Sequence, residues 1–211
     1  MPGWGSFKRN DILVFNFPYQ MNRWDSVRMD VMQYYVKRCV ALPGDTLEIR
    51  GGFYKVRGCD EQLGNCDAQQ YLANLKHPEQ HGIVVGTFPY DKQIGWNIRE
   101  FGPLPIPKKG QTVMMNRTNC LLYRQLIGWE QKKKLRIKDG QIVLGDSVIT
   151  QYRFKKNYYF VSGDNMANSQ DSRYWGMLPE EYIVGKAARV WYSEDKFTEK
   201  PRWDRMMKKI K

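Results

Sequence analysis

The apolar residues of this chain fall in short, β-prone runs closed off by proline and glycine, and that punctuation points to a mainly β fold. Asp11 to Phe17 (DILVFNF) is a nearly continuous run stopped by Pro18, and Tyr34 to Leu42 is a second. Both read as core strands. Pro43-Gly44 then supplies the fixed φ and the positive φ of a type II turn, after which Thr46 to Ile49 resumes as an alternating strand.

Beyond Gly51 the pattern changes to short strands and loops, with Pro103, Pro105 and Pro107 separating segments. Asp139-Gly140, between Arg136-Ile137-Lys138 and Gln141-Ile142-Val143, predicts a two-residue hairpin. Leu121 to Lys134 is the helix candidate of this stretch, with Leu122, Leu126 and Trp129 at helical spacing and a basic end. Strand character returns at Tyr152 to Val161 and at Tyr182 to Tyr192. At the C-terminus Trp203, Met206, Met207 and Ile210 recur at helical spacing among basic residues, which predicts a short amphipathic helix. The expected organisation is a β core from 7–50 and 151–193, an inserted β-rich subdomain at 51–150, and a basic amphipathic tail at 194–211.

With 211 residues, 42% of them hydrophobic and 14% aromatic, the chain has the material for a packed core. Its net charge of +12 favours anionic partners, and an anionic membrane surface is the expected one, the tail either meeting it or docking on its own domain. No helix-turn-helix, zinc finger or aromatic-basic RNA-binding strand pair is visible, so nucleic acid is not an expected partner. No run reaches the roughly 18 to 20 apolar residues of a bilayer span, and Met1 to Ser6 lack the pattern of a secretory signal. Of the four cysteines, Cys59 and Cys66 bracket a polar loop and are expected to close as a small disulfide; two unpaired loop thiols are the other reading. No cofactor or metal is expected, because the only histidines, His77 and His81, lack a third ligand.

Two segments carry chemistry: Tyr35-Val36-Lys37-Arg38-Cys39-Val40-Ala41-Leu42-Pro43-Gly44-Asp45, and Gly163-Asp164-Asn165-Met166-Ala167-Asn168-Ser169-Gln170-Asp171-Ser172-Arg173. In a regular strand Lys37 shares a face with Tyr35, Cys39 and Ala41, so its ammonium would sit among largely apolar neighbours. Desolvation there lowers a lysine pKa, and a neutral amine can take a proton from a hydroxyl. Together the segments resemble the two C-terminal signature boxes of bacterial type I signal peptidases (leader peptidases), and Asn10 to Phe15 resembles the strand box before them. The resemblance covers roughly half the chain.

It implies a signal-peptidase-like β core and a Ser/Lys serine endopeptidase that removes signal peptides from exported preproteins at the outer, periplasmic face of the cytoplasmic membrane. Lys37 is implied as the general base and Ser169 as the hydroxyl that orients it. Arg38, Asp164, Asp171 and Arg173 become supporting residues, with Asp164 expected to pair with Arg38. Tyr35 and Val36 would line substrate pockets, and substrate would add as a β-strand beside the strand ending at Lys37. Family members usually carry arginine where this chain has Met166.

The family's nucleophile is a serine followed by methionine after a membrane helix, and no serine here is followed by methionine. Ser6 lies too close to Asn10-Asp11 to match. The expectation is therefore a soluble body that begins downstream of its anchor and nucleophile and is inactive as given; a degenerate paralogue is the other reading. A Ser-His-Asp triad has no G-x-S-x-G elbow to support it. The competing functions are a self-cleaving Ser/Lys regulatory protease and a non-catalytic basic interaction module.

Overall fold

The computed structural model describes residues 6–20, 24, 26–195 and 198–210. Its strands are β1 (Ile12–Phe17), β2 (Asp30–Ala41), β3 (Thr46–Arg50), β4 (Phe53–Val56), β5 (Phe101–Pro105), β6 (Thr112–Met114), β7 (Leu135–Lys138), β8 (Gln141–Leu144), β9 (Ser147–Val148), β10 (Gln151–Arg153), β11 (Tyr158–Ser162), β12 (Leu178–Pro179) and β13 (Ile183–Lys186). Three helices accompany them: α1 (Cys66–Asn74), α2 (Arg117–Gln131) and α3 (Ser172–Trp175). The fold is mainly β, as the punctuated apolar runs predict.

The sheet that positions the site has the order β12-β11-β2-β1-β13. The DILVFNF run supplies β1, an inner strand of this sheet, and its Leu13, Phe15 and Phe17 are fully buried. β1 and β2 pair antiparallel, setting Leu13 opposite Lys37 and Phe15 opposite Tyr35. On its other side β2 meets β11 only through Arg38, Cys39 and Ala41. From Asp30 to Lys37 that edge of the long strand therefore has no strand partner among the described residues.

After β2 the Leu42–Asp45 turn closes with the Asp45 amide donating to the Leu42 carbonyl at 3.0 Å. It delivers β3, which forms the middle of a second sheet, β4-β3-β5. One apolar cluster runs from Phe15 and Phe160 through Ile49 and Leu104 to Leu122 and Leu126, so the residues of 51–150 share a core with the strands that flank them. The predicted hairpin joins β7 to β8, with Asp139 at φ 49° and Gly140 at φ 75°. Positive φ at both central residues is the type I′ geometry that an Asp-Gly pair tolerates best.

Three expectations are corrected. The helix candidate begins four residues earlier than read, at Arg117, capped by the Asn116 side chain on the Asn119 amide at 2.8 Å, and ends at Gln131. The polar stretch after Cys66 is itself a helix, with Asn65 as its cap. The C-terminal segment is not a helix: Val190 donates to Lys208 at 3.0 Å and Met207 to Val190 at 2.7 Å, bridging 188–195 to the returning chain. A ten-residue helix is marginal without a surface to bury its apolar stripe, and pairing satisfies the same amides. Lys196, Phe197 and Lys211 of the expected tail lie outside the described residues.

The cysteines are corrected as well. Cys59 and Cys66 are free thiols, as are Cys39 and Cys120. Cys66 opens α1 while Cys59 bridges back to Val56, so the two belong to different local structures.

Candidate active site

Lys37 lies on β2 one residue before β11 begins to pair, and β11 ends at Ser162, opposite Arg38. The chain then turns through Gly163 and a short 3₁₀ turn at Met166–Asn168, which returns Ser169 to the end of Lys37. The Lys37 amine donates to the Ser169 hydroxyl at 2.9 Å, across 132 residues of sequence. The ammonium position also stands 5.6 Å from the centre of the Tyr35 ring, which leans on Phe17 at 4.6 Å between ring centres.

Burial is the largest influence on Lys37 and lowers its pKa below the ordinary lysine value; Asp171 and Asp164 oppose this weakly, and Arg173 adds to it. Asp171 does not reach the amine. It is fully buried, and burial alone would raise its pKa, but the Arg173 guanidinium and the donors around it hold it below the usual carboxylate range. Those donors are Arg173 Nε at 2.9 Å and Nη2 at 2.8 Å, the Gly163 amide at 3.0 Å, and the Ser169 hydroxyl. Ser169 accepts from the Lys37 amine and, on the side of Asp171, helps hold that carboxylate below its ordinary pKa.

The carboxylate also caps α3 through the Arg173 amide at 3.2 Å, and Arg173 Nη2 reaches the Met166 carbonyl at 3.0 Å. An ion pair with no solvent exposure on either side therefore braces the 163–173 loop from within, joining its start at Gly163, its middle at Met166 and its end at Arg173. Arg38 forms a fork with Asp164 at 2.8 and 2.7 Å and donates to the Asn10 carbonyl at 3.0 Å, tying the rim of the same loop to the start of β1.

Two contributors carry no role in the sequence reading. A Cβ on Gly163 would stand 2.1 Å from the Ser169 oxygen and 3.2 Å from the Lys37 nitrogen, so a side chain there and the Lys37–Ser169 contact exclude each other. Only its place directly before Asp164 could have signalled this. Tyr54, from β4, meets Ser162 at 2.6 Å between oxygens, and Ser162 lies 3.4 Å from Asp171. That link joins strands about a hundred residues apart, which no local pattern announces. Gly163→Ala is expected to leave the chain folded, lose the Lys37–Ser169 contact, and lower cleavage in an assembled protease by about 100-fold, since a displacement near 1 Å at a base costs that much. Steady-state kinetics beside circular dichroism checks it.

Past Ser169 lies a cleft of about 320 Å³ with Val84, Tyr90 and Tyr174 among its walls. Tyr35 is half-buried and Val36 exposed, on opposite faces of β2 next to its unpaired edge. Ser6 lines a separate cleft with Leu42, Pro43, Asn157 and Glu180 that contains neither Lys37 nor Ser169. His77 and His81 are exposed on 51–150, and no cluster of metal-ligating side chains occurs among the described residues. No helix is long and apolar enough to cross a membrane among the described residues.

The sequence profile described as signal peptidase, peptidase S26, matches residues 2–192. A signal peptidase I of Buchnera aphidicola from Acyrthosiphon pisum is 58% identical over 197 residues, covering 89% of this chain and 55% of that protein. One from Aquifex aeolicus is 50% identical over 188 residues, covering 88% and 63%. A solved signal peptidase I from Enterococcus faecalis overlaps 87% of this chain and 98% of its own, at a TM-score of 0.40 and 19% identity. The chain spans about half the length of the curated relatives it matches.

Proposed function

The chain belongs to the signal peptidase family, peptidase S26, and from that membership we propose that it supplies the base half of a Ser/Lys dyad that removes signal peptides from exported preproteins at the outer face of the cytoplasmic membrane. The observation that carries this reading is the half-buried Lys37 amine on the Ser169 hydroxyl at 2.9 Å, with its pKa lowered and no carboxylate in contact among the described residues.

The chemistry follows from that pairing. Neutral Lys37 takes the proton of a nucleophilic serine hydroxyl as the oxygen bonds to the scissile carbonyl carbon. The resulting ammonium returns the proton to the departing amine, leaving an acyl-enzyme and a neutral lysine. Lys37 then takes a proton from water as the water oxygen attacks the ester, and gives that proton to the serine oxygen as the ester C–O bond breaks, freeing the acid product, which ionises, and restoring the serine hydroxyl and the neutral amine. In this scheme Lys37 of this chain is the base, and the nucleophile is the serine of the family's Ser-Met box, a pair that does not occur among these 211 residues.

Substrate adds as a strand along the open edge of β2, with Tyr35 and Val36 beside the residues before the cleaved bond. At Arg38 the edge is taken by β11, so the residues after the bond must leave the sheet, and the cleft past Ser169 receives them. Val31 and Met32, 60% and 85% exposed at the start of β2, and Trp191 and Trp203, 82% and 76% exposed, suit a protein that works against a membrane surface.

A peptide with an Ala-x-Ala site tests the binding part without any chemistry. It is expected to bind this chain saturably in fluorescence anisotropy, and to lose at least about tenfold in affinity when backbone N-methylation removes the donors a strand would offer to β2. Equal binding of the methylated peptide would count against strand addition.

A further inference from the structure

Away from Lys37 and Ser169, a cleft of about 470 Å³ opens between the C-terminal half of α2 and β7, and five cationic side chains line it: Arg124, Lys132, Lys133, Lys134 and Arg136. No carboxylate lines it among the described residues; Val27, Trp129 and Leu135 give it apolar walls. The nearest acid to Arg136 is Asp146, at 4.0 Å and fully exposed. Arg124 and the three lysines make no ion pair among the described residues.

Cations at a helix C-terminus ordinarily offset the partial negative charge of the last turn. Lys132, Lys133 and Lys134 more than meet that half charge. Arg124 lies two turns earlier in α2 and Arg136 lies on β7, so neither serves it. The backbone holds the group in place: Lys132 is in the left-handed conformation at φ 53° with its amide on the Gly128 carbonyl, and the Lys133 stem lies against Gly145. Five like charges around one concavity repel each other until an anion enters, and a cleft with apolar walls concentrates their field.

We propose that this cleft binds a phosphate-bearing anion, a phosphate ester gripped by the Arg124 and Arg136 forks and neutralised by the lysines. Its lining shares no residue with the candidate active site, so it stands or falls apart from the protease reading.

Glycerol phosphate titrated into isotope-labelled chain is expected to shift the backbone amide resonances of residues 132–136 saturably. Lys132→Gln with Arg136→Gln should weaken that binding about tenfold or more, through the loss of two charge-assisted contacts. Lys108→Gln with Lys109→Gln removes the same charge from exposed positions elsewhere and should leave it unchanged. Sedimentation with phosphatidylcholine vesicles, with and without phosphatidylglycerol, separates the sources. Selective loss of phosphatidylglycerol binding in the Lys132/Arg136 variant assigns a lipid head group. Unchanged vesicle binding with weakened glycerol phosphate binding assigns a soluble phosphate ester. Shifts that do not saturate, or equal weakening by the two double variants, overturn the site.

Discussion

Lys37→Met is expected to reduce signal-peptide cleavage by roughly 100- to 10,000-fold in a protease assembled from this chain and an N-terminal segment bearing an anchor and a Ser-Met nucleophile. Methionine fills nearly the volume of the lysine stem, so Tyr35 and Leu13 keep their neighbours, but it has nothing to accept a proton. The loss should fall on kcat with KM nearly unchanged, because the amine acts in the transition state and not in holding the peptide. Lys37→Arg should be as inactive although it keeps a donor for Ser169, since a guanidinium stays charged at any working pH and has no free lone pair. Activity in the arginine variant would mean that position 37 works as a cation.

Asp171→Ala should carry the largest cost in stability. Asp171 and Arg173 have no solvent exposure, and the carboxylate accepts from the Arg173 guanidinium, the Arg173 and Gly163 amides, and Ser169. Removing it leaves a guanidinium uncompensated in the core, which costs about 3–5 kcal/mol. For a chain of this length that lowers the melting temperature by roughly 10 °C. Adding Arg173→Met takes away the stranded charge together with its partner, so the double variant should be more stable than Asp171→Ala alone. Urea denaturation of the three variants measures both effects, and an additive double variant would contradict direct coupling.

The strands around Lys37 are legible in the sequence because each combines a β-prone apolar run with a breaker: Asp11 to Phe17 before Pro18, and Tyr34 to Leu42 before Pro43-Gly44. The Asp139-Gly140 hairpin is legible because two consecutive positive φ angles demand such residues. Signals that are polar or non-local escape this reading. α1 buries only Gln69 and Leu72, so apolar periodicity is silent there, and Asn65 with Asp67 in the first turn is the cue that marks it. The first turn of α2, from Arg117, is missed for the same reason. The tail errs the other way: Trp203, Met206, Met207 and Ile210 keep helical spacing, yet 188–195 offers partners that a helix forgoes.

For the site, the two signature segments bring Lys37, Ser169, Asp171 and Arg173 into view, because each contributes several residues in a fixed order. They say nothing of Gly163 as the vacancy that admits the Lys37–Ser169 contact, nor of Tyr54 reaching Ser162. Both depend on β11 ending opposite Arg38, a register set by long-range pairing.

The central claim is that burial keeps the Lys37 amine ready to accept a proton, and a titration of its side-chain nitrogen by NMR in the folded chain tests it most directly. A midpoint below the ordinary lysine value of 10.5 is expected. Because the unfolded lysine then holds its proton to higher pH than the folded one, stability should also rise with pH between the lowered midpoint and 10.5, and Lys37→Met should remove that rise. A Lys37 midpoint at or above 10.5 would mean a stabilised ammonium at the site, and the base role would be contradicted.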